Sequence, residues 1–346
     1  MKRILSTLMV YLCLSVPLAL AQYRDLALQA FELRMNGQPY MALDLLDSAL
    51  LIYPDSARIW FEKGRCLDWI KTDGCKKFTD SWTKMSPRLR KGGKCFKVAC
   101  RLDPEIGRYH FWMSQNLSTR ALLAFYTPWK WPTIGIKIRS SFKHARRSVL
   151  WSPQNYNYRY ELVNIGRFGW FMGGNKKLAR AHADTLNEMK PVYGVMANEL
   201  LANRKQPYYA LDHFQNLERE FPTDTRLLRE LAMKYTMKSR SDSTYADTAR
   251  RYIIRILELD PKNSWAVNQF FWNLPKHRKA EALPYIESYL KAVDSDYNCY
   301  KATGLKLKGH CMKSLGELSK AEKCFAEANK LNPNGNSTFI SDWEKP

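Results

Sequence analysis

Apolar and small residues recur along this chain at helical spacing. Near the N-terminus Gly37, Ala42, Leu46, Ala49 and Pro54 stand at offsets 0, 5, 9, 12 and 17, and near the C-terminus Gly316, Ala321, Phe325, Ala328 and Pro333 stand at the same offsets. Residues at offsets 5, 9 and 12 share one face of an α-helix. The two small side chains let a neighbouring helix approach closely while the large one between them fills the gap. The glycine supplies a tight turn ahead of that helix, and the proline stops it. Each window therefore predicts a pair of antiparallel helices. The second extends upstream to Gly309, where the first has Ala30.

These residues resemble the tetratricopeptide (TPR) signature, a helix-turn-helix of 34 residues. It places small residues at repeat positions 8, 20 and 27, Leu or an aromatic at 24 and Pro at 32. The resemblance implies an all-α fold, a right-handed solenoid of helical hairpins, here with interrupted repeats. Weaker copies fill the middle. Trp60 and Gly64 open a second repeat that Phe96, Ala99 and Pro104 close after roughly 17 extra residues. Ala145 and Pro153 close a third; Ala210, Phe214 and Pro222 close another. Leu228, Leu231, Ala232 and Tyr235 open the next, closed by Ala249 and Pro261, and the regions of Trp265 and Tyr285 form a further pair. Seven or eight hairpins are expected over residues 22–346, as N-terminal repeats 22–104, divergent central repeats 105–222 and C-terminal repeats 223–346.

A narrower resemblance rests on His110-Phe-Trp-Met-Ser, Thr133-Ile-Gly-Ile-Lys-Ile-Arg, Tyr160-Glu-Leu and Phe171-Met-Gly-Gly-Asn-Lys-Lys-Leu-Ala-Arg-Ala-His-Ala. They look similar to a group of exported bacterial TPR proteins of undefined activity, in which a Gly-Gly turn precedes a basic, Ala-rich second helix. Export also follows from the first residues themselves. Lys2 and Arg3 precede an apolar run from Ile4 to Leu20, and Ala19-Leu20-Ala21 supplies the small residues a signal peptidase requires. Cleavage between Ala21 and Gln22 is expected, leaving a periplasmic or secreted chain with no transmembrane span.

Charge narrows the partners. The 346 residues hold 55 Lys and Arg against 33 Asp and Glu, a net charge of +22, which favours acidic partners or anionic surfaces. In a stacked array, first-helix positions 2, 5, 9 and 12 line the inner curve. Those positions carry Arg24, Phe31 and Arg34 in the first repeat, Arg58, Phe61, Arg65 and Asp68 in the second, and Lys306, His310 and Lys313 in the last. The expected site is a basic, aromatic-rimmed groove for a protein or peptide partner, acidic in character. The alternative is an anionic envelope ligand such as a glycan, lipid or transported solute. Thr127-Pro-Trp-Lys-Trp-Pro-Thr, and Lys84 to Lys97 with its dense Lys and Arg, put aromatics and cations in the interrupting segments as well. An exported chain is not expected to meet nucleic acid.

Little points to catalysis, and no cofactor is expected. The cluster Gly166, Gly169, Gly173 and Gly174 lacks the Gly-Lys-Ser/Thr ending of a phosphate loop and reads as a turn between helices, with simple-anion binding as the remaining role. The six histidines stand singly, without a pair spaced to share one helix face, so no metal site is expected. Among the cysteines, Cys66 and Cys311 fall at repeat position 10, and Cys95 and Cys324 at position 23, which lie level in an antiparallel hairpin. Export permits disulfides, and Cys66–Cys95 and Cys311–Cys324 are the expected pairs, with buried free thiols as the other reading.

Overall fold

The computed structural model describes residues 26–69, 78–168, 172–202 and 211–333. Among them there is no strand. A first helix α1 covers 26–35, followed by α2 (Pro39–Ile52), α3 (Ala57–Trp69), α4 (Phe78–Leu102), α5 (Gly107–Phe125), α6 (Pro132–Trp151), α7 (Tyr156–Gly166) and α8 (Lys176–Met189). Then come α9 (Pro191–Leu201), α10 (Leu211–Glu220), α11 (Thr225–Lys238), α12 (Tyr245–Leu259), α13 (Ser264–Asn273), α14 (Leu283–Ala292), α15 (Asn298–Ser314) and α16 (Leu318–Leu331). They pair in order into eight hairpins, a TPR-type solenoid.

The boundaries between hairpins follow local chemistry. Pro153, Pro222 and Pro261 stop second helices, and two residues later Asn155, Asp224 and Asn263 cap the helix that follows. The Asn155 side chain accepts from the backbone N–H of Asn157 and Tyr158 at 3.0 and 3.2 Å; Asp224 accepts from Arg226 and Leu227, both at 3.0 Å. Each such cap is worth about 1 kcal/mol.

Packing within hairpins obeys the predicted small-large-small rule. A Cβ added to Gly64 would lie 2.5 Å from the Phe96 ring, and one added to Gly309 would lie 2.7 Å from the Phe325 ring. Repeats separated by most of the chain thus use the same glycine-on-phenylalanine contact. Ala42, Leu46 and Ala49 are buried against α1 and α3 together with Ala27, Ala30 and Ile59. The extra residues of the second repeat lengthen its second helix: α4 runs for 25 residues. Gly92 and Gly93 let neighbours lie flat on α4, since added Cβ atoms would come within 2.6 Å of the Asp68 and Asn116 side chains respectively. Asn116 in turn donates to Asp68 at 3.2 Å and to the Leu89 carbonyl at 2.9 Å, tying α3, α4 and α5 together.

The array closes on itself. Phe31 and Met35 of α1 share a buried cluster with Trp69 and with Cys299 of α15, and the rings of Phe31 and Tyr297 meet edge-on at 5.8 Å. The backbone N–H of Asn298 donates to the Asn36 side chain at 3.2 Å. Gly37, at φ +77°, sits so near the end of α16 that an added Cβ would be 2.6 Å from the Leu331 carbonyl oxygen. The first and last hairpins are therefore neighbours.

The expected disulfides are not formed; the six described cysteines are free thiols. Equal height along a hairpin is not equal facing. Cys66 turns toward the first hairpin, buried with Ala27, Ala30 and Leu46, whereas Cys95 lies beside Lys63. Cys311 faces the seventh hairpin and donates to the Lys279 carbonyl at 3.2 Å, while Cys324 is half-exposed near Lys308 and Glu327. Cys75 lies outside the described residues.

Candidate interaction site

Closure changes what the inner curve can do. Of the predicted groove residues, Phe31, Arg34, Phe61 and Arg65 are buried, with Arg34 fully inaccessible. Arg34 lies 3.5 Å from the Glu62 carboxylate and stacks its guanidinium 5.1 Å from both the Phe31 and Trp69 rings. Arg65 lies 3.2 Å from the centre of the Trp112 ring, and Arg108 covers Phe61 at 5.2 Å. These cations and aromatics pack against one another inside the protein instead of lining an open basic trough, which corrects the sequence expectation at those four positions. Arg58 is half-buried, Lys306 half-buried, and His310 and Lys313 exposed, while Arg24 lies outside the described residues. His310 packs its ring on Phe325 at 5.0 Å and Trp272 at 5.7 Å.

Further along the array, acids pair with bases across adjacent hairpins, where Lys234 bonds Glu199 and Lys190 reaches Asp224 at 2.7 Å, and within α11, where Arg226 reaches Glu230 at 3.2 Å. Glu161 is buried with Asn164 beside it, and desolvation pushes its carboxyl up to about 7.

The excess of positive charge lies elsewhere. Residues 88–151 carry fourteen Lys and Arg against two acids, Asp103 and Glu105. On α4 the side chains of Arg90, Lys91, Lys94, Lys97 and Arg101 are exposed, and on α6 those of Arg139, Lys143, Arg146 and Arg147 are exposed. At the loop joining α5 to α6 this charge meets apolar surface. Leu122 is 53% exposed, Phe125 62%, Tyr126 58%, Trp129 79%, Trp131 55% and Ile136 69%. The loop is ordered by its own bonds: Trp131 donates its indole N–H to the Phe125 carbonyl at 2.8 Å and stacks on the Phe125 ring at 6.3 Å, and Lys137 bonds the Thr133 hydroxyl. Partial burial lowers the Arg120 pKa, and Arg90 lowers it further; Lys137 is lowered by burial and then by Arg120 and Lys130. Arg90 therefore crowds Arg120, where Asp68 offsets it in part, and Arg120 and Lys130 crowd Lys137, beside six exposed hydrophobic side chains. Contiguous apolar patches of this kind mark interaction sites.

The sequence pointed to the two tryptophans of this loop and to the basic stretch before it, but two-helix geometry was needed to bring Arg90 and Arg120 to the same place. The Gly173–Gly174 segment is a turn between helices, as expected. Gly173 has φ +83°, and Asn175 accepts from the Leu178 N–H at 2.9 Å, occupying part of the α8 N-terminus that an anion would need. The histidines do not all stand singly in space: His110 and His144 are in direct contact, 2.9 Å between their Nδ1 atoms, with Cys100 beside them. Residues 1–21 lie outside the described residues; among those described, no helix is long and apolar enough to cross a membrane.

No protein-family model and no curated protein matches the chain. Among solved structures it is similar to the human IFIT1 dimer with m7Gppp-AAAA, at 14% identity over 90% of this chain and 78% of that one, with a TM-score of 0.42. It is similar to yeast Tom70 at 10% identity, over 90% of this chain and 76% of that one, with a TM-score of 0.34. The C-terminal part of a TPR repeat-containing protein from Cytophaga hutchinsonii shares 10% identity over 89% of this chain and 95% of that one, with a TM-score of 0.30.

Proposed function

We propose that the chain is a protein-interaction scaffold that holds an acidic partner segment at the tip of its third hairpin. Trp129 and Trp131 act as apolar anchors, and Arg90, Arg120, Lys130 and Lys137 supply the counter-charges. The observation that carries this reading is the exposed aromatic surface beside closely placed cations, of which Arg120 and Lys137 are lowered in pKa by burial and then by their neighbours. An acidic segment relieves that repulsion while its apolar residues cover the indoles, and Trp and Arg are the residue types that most often dominate interface energy. The rest of the solenoid holds the tip rigid. The proposed setting is outside the cytoplasm, on the strength of the leader pattern in residues 1–21, and N-terminal sequencing of the mature chain tests it by starting at Gln22.

Affinity capture from the native source at low and high salt tests the assignment. A single stoichiometric protein is expected, lost at high salt because exposed charge attraction is screened within about 8 Å at physiological ionic strength. Trp129→Ala with Trp131→Ala should weaken capture by about 30-fold or more, the effect of losing about 2 kcal/mol at a hot spot. Capture unaffected by that pair and by Arg90→Glu with Lys130→Glu refutes the site. The second reading, an anionic lipid or glycan as ligand, draws on the 79% exposure of Trp129 next to Lys130, a pairing that also suits a membrane interface. Recovery of lipid or glycan without protein selects it.

A further inference from the structure

We infer that Cys100, His110 and His144 bind one zinc ion at the junction of the second and third hairpins, with its fourth position open to an exchangeable anion. Cys100 comes from the end of α4, His110 from the first turns of α5 and His144 from the middle of α6. One donor atom from each lies within 4.8 Å of the other two. A tetrahedral zinc holds its nitrogens at about 2.0–2.1 Å and its sulfur at about 2.3 Å, so its donors stand roughly 3.3–3.8 Å apart. The 2.9 Å between His110 Nδ1 and His144 Nδ1 must open slightly and the thiol move inward. Side-chain rotations supply both movements.

The His110 ring is already oriented for this role. His110 Nε2–H donates to the Pro104 carbonyl at 2.9 Å, which leaves Nδ1 as the atom with the free lone pair. Metal-binding imidazoles are held in just this way, by a hydrogen bond from the nitrogen that does not bind the metal. With His110 Nδ1 accepting, the short contact in the metal-free protein has His144 Nδ1 as donor. Zinc takes the place of that single proton: His144 moves its proton to Nε2 and stays neutral, and the Cys100 thiol releases one proton to solvent as its sulfur binds. Two nitrogens and one thiolate suit zinc and offer no oxygen to magnesium or calcium.

The surroundings define the open position. His110 and Cys100 are buried, and His144 is half-buried, so access is from the His144 side. Arg147 faces all three ligands and Lys143 faces His144, and among the described residues no carboxylate acts on them. Zinc with one thiolate keeps a net positive charge beside these cations. The fourth ligand is therefore an anion such as hydroxide, chloride or phosphate. Cys100, His110 and His144 are separated by 10 and 34 positions in the chain, which hides them from any search for a local metal motif.

Cobalt(II) titration of the full chain, first stripped with EDTA, tests the site. One equivalent should give the intense visible bands of tetrahedral cobalt and a near-ultraviolet thiolate-to-cobalt band, both abolished by one equivalent of zinc. Cys100→Ser and His144→Ala should each weaken zinc by more than ~100-fold, beyond the loss typical of second-layer changes, whereas Cys324→Ser should leave affinity unchanged. X-ray absorption of the zinc-loaded wild type needs no variant to fold: one sulfur and two imidazole nitrogens around zinc support the site. An all-oxygen or multi-sulfur shell, no binding at one equivalent, or a thiolate band surviving in Cys100→Ser overturns it, leaving a hydrogen-bonded imidazole pair only.

Discussion

Gly37 and Gly316 provide a matched test of ring closure. Both sit at the turn of their hairpins, with φ of +77° and +81°. Replacing either by Ala puts a side chain into the left-handed region at a cost of about 1–2 kcal/mol. At Gly316 that is the whole cost, because nothing lies within 4 Å of the added methyl. At Gly37 the methyl would also stand 2.6 Å from the Leu331 carbonyl oxygen and 2.7 Å from Asn332 Cα, both backbone atoms of the last hairpin. Neither can rotate away. The overlap resolves only if the first and last hairpins separate, at a further cost in the ~1–3 kcal/mol range of overpacked sites. Gly37→Ala should therefore destabilise by about 2–5 kcal/mol in urea unfolding and Gly316→Ala by about 1–2 kcal/mol. Small-angle scattering should show expansion for Gly37→Ala alone. Equal destabilisation with unchanged dimensions in both variants would refute closure.

Three other outcomes follow from buried groups. Arg34→Met leaves the Glu62 carboxylate buried without its 3.5 Å partner and should cost about 3–5 kcal/mol, while Arg34→Met with Glu62→Leu should cost far less; urea midpoints of the single and double variants read the difference. Glu161 holds its proton up to about pH 7 when folded against 4.5 otherwise, so the folded chain binds more protons across that window and loses stability as pH rises through it. Glu161→Gln should accordingly gain at most ~3 kcal/mol at pH 8 and nothing below pH 4.5, checked by urea unfolding at both values. Burial pushes the thiols of Cys66 and Cys100 up to about 12. Neither should react with iodoacetamide at pH 8 until the chain unfolds, and peptide mapping without reductant should find Cys66, Cys95, Cys311 and Cys324 unbridged.

The hairpins were legible in the sequence because their signal is local: Gly64 with Phe96 and Gly309 with Phe325 follow a spacing that one helix pair fixes. Closure was not legible. It joins Phe31 and Asn36 to Tyr297 and Asn298, and no short-range pattern encodes a meeting of residues so far apart. Closure moves the site, because Arg34 and Arg65 read as groove cations in an open solenoid but become buried neighbours of Glu62 and Trp112 when the array curls tightly. The tryptophans of the α5–α6 loop were visible as a motif, while their exposure depended on how Phe125 and Trp131 stack. Cys100, His110 and His144 were each visible and could not be grouped, since three helices bring them together.

The proposed contact lies at the third hairpin tip and not on the inner curve. A photo-crosslinking side chain placed at position 129, and separately at His310, one of the two predicted groove positions that are exposed, compares the two surfaces in cells. The tip position should yield one salt-sensitive protein adduct and the His310 position none. An adduct from position 310 with none from 129 would place the partner on the inner curve and overturn the proposed site.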